Sequence, residues 1–336
     1  MDPTIATSPY DGTLPYSNAR SQFQAGDIID ERYRLEQLLG TGGMGEVWQS
    51  RHTTLGRLVA LKLVRVAGEL RSRLLHEART LASLRHPAIV TVHDAGITGD
   101  GIGYLAMDVL VGENLANRVA RARLEVRDGV ALFVELLAGL EAAHAAGIIH
   151  RDLKPGNVLL VSRDATVSPV LIDFGIAVPA TVEGTNADRA GTPAYMAPEQ
   201  FCGLACTERT DVWASCVSLY ETVTGRIPFI GGDLASTAQQ VVESPLAYPT
   251  DVSGIDGKLW RILTCGLRKD PADRTPNILE LRAALAGWLA RGSQRTGSLA
   301  LPTAPLAPAA LVPAPRRPGR EPSPFELSIR KKFTEG

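Results

Sequence analysis

One change of residue pattern constrains the fold of this chain more than any other feature. From Tyr33 to Val109 the sequence consists mainly of short runs rich in β-branched and apolar residues, among them "EVWQS", "LVALKLV" and "GYLAMDV". One helical pattern, Glu69 to Leu84, interrupts these runs, and after Asn114 apolar residues recur mostly at helical spacing. The clearest stripes are Phe133, Leu136, Leu137 and Leu140, and Ile278, Leu281, Leu285 and Trp288. The sequence therefore predicts a small sheet lobe with one helix, followed by a larger, mainly helical lobe.

The two ends of the chain differ in composition from its middle. Residues 1–30 mix Ser, Thr, Pro, Gly and Asp without periodicity, which is typical of a flexible arm. Residues 291–336 are rich in Pro and Ala, which predicts a disordered tail because such a stretch cannot hold a helix or a sheet ladder. The predicted folded domain is residues 31–290, with an N-lobe at about 31–109 and a C-lobe at about 114–290.

Composition argues against several classes of function. The 336 residues carry a formal net charge of −1, which gives no reason to expect a nucleic-acid partner. The four cysteines form no paired C-x-x-C motif, which predicts free thiols in a reducing compartment and no structural zinc. We see no basic and apolar leader and no uninterrupted apolar run of about 18 residues. A cytoplasmic protein without a membrane span is therefore expected.

The stretch "LGTGGMGEVW" contains the pattern Gly40-x-Gly42-x-x-Gly45-x-Val47. Alone, G-x-G-x-x-G is a weak signal. A dinucleotide-binding turn would lead into a helix, whereas here "EVWQS" continues as a strand. A glycine-rich hairpin over a phosphate group is favoured, because residues without Cβ let backbone N–H groups come close. An ordinary hairpin is an equally good interpretation of this segment alone.

Lys62 lies in the middle of the apolar strand "VALKLV", and Glu77 falls on the apolar stripe of the following helix. Burying a carboxylate at that position without a cation beside it costs on the order of several kcal/mol in desolvation free energy. Lys62 is the obvious partner, so an ion pair between the two is predicted. Taken singly, each residue is equally compatible with a solvated position.

The segment "IIHRDLKPGNVLL" places Asp152, Lys154 and Asn157 inside an otherwise apolar run, and Pro155 prevents a regular helix there. Such a cluster is typical of a ligand site or a reaction site. Asp173 ends a second apolar strand in "LIDFGIA", and with Asn157 it could bind Mg²⁺ through oxygen ligands. A lone D-F-G tripeptide is common and can be an ordinary turn.

Together and in this order, the glycine loop, "VALK", "HRDLKPGN", "DFG" and "APE" resemble the bacterial eukaryotic-like serine/threonine protein kinase family. The resemblance covers about Tyr33 to Trp288. It implies an α+β, two-lobed protein-kinase fold with a small antiparallel β-sheet N-lobe. It also implies transfer of the γ-phosphate of ATP to protein Ser/Thr hydroxyls, with Mg²⁺ as the metal and Mn²⁺ able to substitute. The segment "GTPAY" and Lys154 favour Ser/Thr over Tyr as acceptor.

The resemblance also implies roles for individual residues. Asp152 is expected to orient the acceptor hydroxyl or accept its proton, Lys154 to contact the γ-phosphate, and Asn157 and Asp173 to bind the metal. Lys62, paired with Glu77, is expected to orient the α- and β-phosphates. The other expected nucleotide contacts are Leu39, Gly40, Gly42, Gly45, Val47, Ala60, Met107, Asp108, Leu110 and Leu159, with Glu113 or Asn114 at the ribose.

Regulation is implied in the same way. Arg151 is expected to pair with a phosphorylated activation-loop residue, Thr185 first and Thr181 second, through charge-assisted hydrogen bonds. Thr192 is expected to contact the catalytic loop and the peptide substrate.

Several structural contacts are also implied. Glu199 is expected to pair with Arg274, and Asp211 to brace the catalytic loop. Leu81, Val92, His150 and Phe174 are expected to align when the kinase is active. Cys216 departs from the family, which often has glycine there, and this predicts an altered helix contact.

Two other functions are weighed against kinase activity. A pseudokinase-like scaffold that binds nucleotide is disfavoured because every catalytic position is intact. A small-molecule phosphotransferase is disfavoured because "GTPAYMAPE" resembles a peptide platform. The expected partners are ATP, Ser/Thr-containing proteins and a second copy of the chain, as a homodimer for trans-autophosphorylation.

Overall fold

A computed structural model describes residues 22–42, 45–66, 68, 70–163, 166–174 and 193–293. Six antiparallel strands form the sheet of the N-lobe in the order β1-β2-β3-β4-β6-β5. Their bounds are β1 Ile28–Ile29, β2 Tyr33–Gly42, β3 Gly45–His52, β4 Leu58–Arg65, β5 Val92–Ile97 and β6 Ile102–Met107. Helix α1, Leu70–Ser83, packs on β5.

Strand β4 shows how residue alternation separates the two faces of this sheet. Val59, Leu61 and Leu63 point into an apolar cluster on the face that also buries Trp48. Ala60 lies in a different cluster, which contains residues of the C-lobe strands. Because side chains alternate along a strand, Lys62 shares the face of Ala60. The alternation therefore turns one lysine of a buried strand toward the C-lobe.

The C-lobe is mainly helical. Its helices are α2 Leu115–Arg121, α3 Val126–Ala145, α4 Pro198–Phe201, α5 Glu208–Thr224, α6 Leu234–Glu243, α7 Gly257–Gly266 and α8 Ile278–Ser293. A three-stranded sheet completes it, in the order β7 Glu113–Asn114, β8 Val158–Arg163 and β9 Thr166–Leu171. Both predicted helical stripes are buried, the first on α3 and the second on α8, and these two helices pack together. The predicted two-lobed α+β fold is confirmed.

Helix α5 forms the centre of the C-lobe. It begins after the N-cap Thr207, whose side chain accepts a hydrogen bond from the N–H of Arg209, and it ends at Gly225 with a φ of 74°. Both ends follow the usual capping chemistry of helices. Cys216 is fully buried on this helix, and a Cβ added at Gly266 of α7 would lie 2.2 Å from its Sγ atom. The predicted altered helix contact is therefore made against a glycine.

Residues before the expected N-lobe boundary at about residue 31 also contact the N-lobe. Phe23 packs against the N-lobe cluster, and the N–H of Gln22 donates to a carboxylate oxygen of Glu46 at 3.0 Å. Residues 1–21 and 294–336, which carry most of the predicted arm and tail, lie outside the described residues. Among the helices that are described, none has both the length and the apolar character needed to cross a membrane.

Candidate active site

The predicted catalytic residues lie in the loop between α3 and β8. The Nζ atom of Lys154 donates to both carboxylate oxygens of Asp152, at 2.9 and 3.1 Å. The side-chain amide of Asn157 donates to the backbone oxygen of Asp152 at 2.7 Å and to its Oδ2 at 3.1 Å. Asp152 and Lys154 are 14% and 16% exposed. The structure thus brings a carboxylate, an ammonium group and an amide together, and all three side chains are mostly buried.

Helix α5 fixes the backbone of this loop. The carboxylate of Asp211, fully buried, accepts hydrogen bonds from the N–H groups of His150 at 2.7 Å and Arg151 at 2.8 Å. Arg151 has a φ of 68°, in the left-handed region that non-glycine residues seldom occupy. The prediction that Asp211 braces the loop is confirmed. His144 also contacts Asp211, with Nε2 at 2.7 Å from Oδ2. Sequence reasoning missed His144, although its position one turn before the loop, on the helix that precedes it, was a usable signal.

Asn157 and Asp173 are brought together by the pairing of β8 with β9. Val158 pairs with Leu171, and the N–H of Ile172 donates to the oxygen of Asn157 at 3.1 Å. Because the amide nitrogen of Asn157 is used by Asp152, its Oδ1 is the atom that can face a ligand. That oxygen and the carboxylate of Asp173 are the hard donors that Mg²⁺ prefers. The two residues therefore fit the predicted metal site in their chemistry.

The ion pair predicted between Lys62 and Glu77 is wrong for this structure. Lys62, 11% exposed, pairs with Asp173, and a carboxylate oxygen of Glu77 lies 2.9 Å from Nη1 of Arg151. Desolvation requires an opposite charge beside each buried charged group, and each of the four has one. Desolvation alone does not select that partner, because α1, the catalytic loop and β9 all bring charges to the same cleft.

Six of the apolar residues predicted to contact the nucleotide form one cluster. Within it, Ala60, Met107 and Leu159 are almost fully buried, and each comes from a different strand or strand end. The predicted members of this cluster are Leu39, Val47, Ala60, Met107, Leu110 and Leu159. Its side chains therefore line one apolar region between the sheets of the two lobes, which suits a flat apolar ring.

The segment after Met107 connects the two lobes. The backbone N–H of Asp108 donates to the backbone oxygen of Thr91 at 3.0 Å. Of the backbone groups of Asp108, only the carbonyl can therefore make the nucleotide contact predicted for this residue. At the expected ribose position, the side chain of Asn114 accepts from the N–H of Ala116 at 2.9 Å and donates to the oxygen of Gly156 at 2.6 Å. Both ends of this amide are occupied, and the carboxylate of Glu113 is paired with Arg121 at 2.7 Å, so the ribose contact at Glu113 or Asn114 stays a prediction.

The glycine pattern lies on a hairpin of β2 and β3, as predicted, and residues 43 and 44 at its tip lie outside the described residues. Gly40 pairs with Val47, and Gly42 pairs with Gly45. Gly45 has a φ of 144°, and a Cβ there would lie 1.9 Å from the backbone oxygen of Leu63. Only glycine fits at this position, because any side chain would push β3 away from β4.

Two further contacts were predicted from motifs. Arg274 and Glu199 form a buried bidentate pair at 2.8 and 2.9 Å, which confirms the predicted partner.

His150 stacks on Phe174 with ring centroids 4.7 Å apart, and burial lowers the pKa of His150 below its usual value. Leu81, Val92 and Phe174 belong to one large buried cluster, and the alignment of the four residues stays a prediction. Thr181, Thr185 and Thr192 lie outside the described residues.

The fold and the loop chemistry are those of a protein kinase. The chain matches the family described as protein kinase domain over residues 33–281, and it therefore belongs to the protein kinase family. It is 37% identical over 266 residues to the serine/threonine-protein kinase PknA of Mycobacterium tuberculosis strain H37Rv. It is also 36% identical over 269 residues to the serine/threonine-protein kinase PknE of Mycobacterium bovis.

These matches cover 75% and 78% of this chain. They cover 60% of PknA and 47% of PknE, so the chain spans only about half to three fifths of the length of these relatives. Membership of the protein kinase family, which the motifs predicted, is confirmed, and the predicted resemblance to bacterial serine/threonine kinases is matched by these two relatives.

Proposed function

We propose that the chain is an ATP-dependent serine/threonine protein kinase that transfers the γ-phosphate of Mg-ATP to Ser/Thr hydroxyls of proteins. The observation that carries the proposal is the hydrogen-bonded group of Asp152, Lys154 and Asn157, placed beside Asp173 by the β8–β9 pairing. Family membership supports phosphoryl transfer, and the likeness to two serine/threonine-protein kinases supports Ser/Thr as acceptors.

The chain's own residues would act by positioning and by charge. Asp152 would orient the acceptor hydroxyl and accept its proton, and Lys154, whose Nζ is 2.9 Å from Asp152, would stabilise the γ-phosphate in transfer. Asn157 and Asp173 would hold Mg²⁺, which when bound neutralises charge on the phosphates. Lys62 would orient the α- and β-phosphates. Little covalent chemistry is needed from the protein, because such transfers depend mainly on alignment and electrostatic stabilisation.

The test is phosphate transfer from labelled ATP to the chain itself and to a generic basic protein. Asp152→Asn keeps the shape of the side chain and removes its negative charge, so the labelling rate should fall by at least about 100-fold, the order of a lost general base. Asp128→Asn, at the exposed start of α3, is the matched control and should label like the parent. Equal labelling by the parent and Asp152→Asn would reject the catalytic assignment, and binding of ATP without transfer would favour the scaffold alternative.

Regulation by autophosphorylation is part of the proposal. Arg151 would bind a phosphate on Thr185, with Thr181 as the second site, and Thr192 would serve the peptide platform. Support comes from the guanidinium of Arg151, which is mostly buried beside the catalytic loop, with an Nε atom that has no hydrogen-bond partner. Mass mapping after incubation with Mg-ATP tests this. An active preparation with neither Thr181 nor Thr185 modified would contradict it.

We also propose that the chain phosphorylates itself between copies, as a homodimer, and that it acts in the cytoplasm. Exposed apolar side chains of the N-lobe, at Ile28, Leu55 and Leu58, support a contact surface there. At protein concentrations where the chain is largely monomeric, the rate of autophosphorylation should then rise with the square of concentration, and a rate proportional to concentration in that range would reject transfer between copies. The four free thiols support a reducing compartment.

A further inference from the structure

The segment that precedes β1 passes over the hairpin of β2 and β3 that carries the glycine pattern. We call this segment, residues 22–27, the N-terminal strap, and the hairpin the glycine hairpin. The strap begins its contact with the sheet at the edge of β2. There the N–H of Gly26 donates to the oxygen of Leu35, and the N–H of Leu35 donates to the oxygen of Asp27, both at 2.8 Å. These bonds continue the pairing of β1 with β2 toward the start of the strap.

The first two residues of the strap reach β3 and β4. The N–H of Gln22 donates to Oε1 of Glu46 at 3.0 Å, and Nε of Arg65 donates to the side-chain oxygen of Gln22 at 2.7 Å. Phe23 packs against the apolar cluster that contains Trp48. The strap therefore contacts β2, β3 and β4 across the face of the sheet that is turned away from the C-lobe strands.

Alternation along β3 connects the strap to the nucleotide cleft. Glu46 and Trp48 lie on the strap side, where Nε1 of Trp48 donates to Oε2 of Glu46 at 2.8 Å. Val47, between them, packs on the opposite side against the cluster shared with the C-lobe, and it is an expected nucleotide contact. Because Val47 directly follows Glu46, a contact that fixes the carboxylate on one face also fixes the height of Val47 on the other.

The glycine hairpin has few side chains of its own to hold it in place. Gly40, Gly42 and Gly45 have no side chain to pack, and glycine in a strand brings extra conformational freedom. Glu46 is the only charged residue in residues 38–48. Each of its two carboxylate oxygens accepts a hydrogen bond, one from the strap and one from Trp48. The strap thus supports the hairpin at the one ionic group that the hairpin offers.

We propose that the N-terminal strap positions the glycine hairpin over the nucleotide, and that it acts through Glu46 as a positioning residue. The inference rests on the proposed function in requiring that this cleft binds Mg-nucleotide. Loss of the strap lowers the fraction of molecules whose hairpin is correctly placed, and the apparent Kd for nucleotide rises by the same factor. Asp152 and Lys154 are untouched, so the transfer step itself keeps its rate.

The first experiment measures kcat and the KM for ATP on the full chain, with a generic basic protein as acceptor. Gln22→Pro removes the backbone N–H that donates to Glu46, and Phe23→Ala removes the packing on the Trp48 cluster. The double variant should raise the KM for ATP by about 5- to 10-fold, which corresponds to about 1–1.4 kcal/mol, with kcat and the KM for the acceptor unchanged. A variant that only loosened the fold would leave fewer active molecules, so kcat would fall and the KM would not.

Conservative changes at the same positions are the matched controls. Gln22→Ala retains the backbone N–H, and Phe23→Leu retains an apolar side chain, so the two together should keep a KM for ATP close to that of the parent. Glu46→Ala should raise the KM by itself. Its effect should be less than additive with Gln22→Pro/Phe23→Ala, because both break the same contact.

A second measurement does not depend on nucleotide. In the nucleotide-free protein, amide hydrogen exchange in residues 38–48 should become about 5-fold faster in Gln22→Pro/Phe23→Ala, since local opening of the hairpin is easier without the strap. Exchange in α8, Ile278–Ser293, is the internal control and should not change.

The outcomes separate the strap from the kinase function. If the parent transfers no phosphate from ATP, the proposed function is wrong, and hydrogen exchange then decides whether the strap holds the hairpin. If the parent is active and Gln22→Pro/Phe23→Ala keeps its KM for ATP, the strap proposal is overturned and kinase function stands. A loss confined to kcat, or unchanged exchange in residues 38–48, would overturn it as well.

Discussion

The buried pair of Glu199 and Arg274 gives the most demanding stability prediction. Arg274 is 0% and Glu199 2% exposed in their side chains, and their two hydrogen bonds are 2.8 and 2.9 Å long. Arg274→Met leaves Glu199 charged and buried, which costs about 3–5 kcal/mol. The backbone oxygens of Arg209, Arg268 and Lys269 also lose a donor, each at about 1 kcal/mol. This loss is comparable to the whole stability of an ordinary domain.

The informative variant is the double substitution. Glu199→Gln alone should destabilise, because it leaves the guanidinium of Arg274 without its counter-charge. In the Arg274→Met background the same change should stabilise by about 2 kcal/mol, because it removes an uncompensated buried carboxylate. The effect of Glu199→Gln on the free energy of unfolding should change sign between the parent and the Arg274→Met background only if the two charges depend on each other.

Urea unfolding followed by tryptophan fluorescence measures all four proteins, and Trp213, whose ring lies 5.2 Å from the guanidinium of Arg274, is a local reporter. The exposed pair Arg51–Glu36, 2.6 Å apart, is the control. The coupling free energy between Arg51 and Glu36, measured by the same four-protein comparison, should not exceed about 1 kcal/mol. If Glu199→Gln further destabilises Arg274→Met, the reasoning from buried charge is refuted.

Three further outcomes are expected. Gly266→Ala should destabilise by about 1–3 kcal/mol through overpacking against Cys216, and Cys216→Gly should restore much of this loss in thermal unfolding. Burial lowers the pKa of Lys269 to about 7, and Arg274 adds to this effect. Between pH 7 and the ordinary pKa of lysine, the unfolded chain then binds more protons than the folded chain. The free energy of unfolding of the parent, relative to that of Lys269→Met, should therefore rise with pH, by about a few kcal/mol. A flat difference would show that the amine stays charged. His144→Ala should lower kcat about tenfold with little change in the KM for ATP, because it loosens Asp211 and not the nucleotide cleft; an effect confined to KM would contradict this.

The motifs predicted local chemistry well because each motif carries its own geometry. The loop from His150 to Asn157 is short, and its polar groups have few partners within reach other than one another. The Glu199–Arg274 pair was predictable only from the family resemblance, and the structure adds that both charges are buried in one lobe. Alternation along β4 explains in the structure why Lys62 lies on the cleft face, but from the sequence alone it was equally compatible with an exposed lysine.

The pairing across the cleft could not be predicted in the same way. Glu77 and Lys62 lie on separate elements of the N-lobe, and Arg151 and Asp173 reach them from the other lobe. Local periodicity gives the face on which each charge lies but not the relative position of the lobes, which decides the partner. Gly266 was not predicted as the partner of Cys216 for a related reason, because nothing in either local sequence says which two helices touch.

The unusual backbone of Arg151 has a consequence for the order of folding. A non-glycine residue in the left-handed region costs on the order of 1–3 kcal/mol, and here that conformation is supported by a carboxylate 60 residues further along the chain. The loop cannot hold this shape until α5 has docked. During refolding, catalytic competence should therefore appear later than helix content, because the acceptor site is built by the assembled C-lobe and not by the loop that carries it.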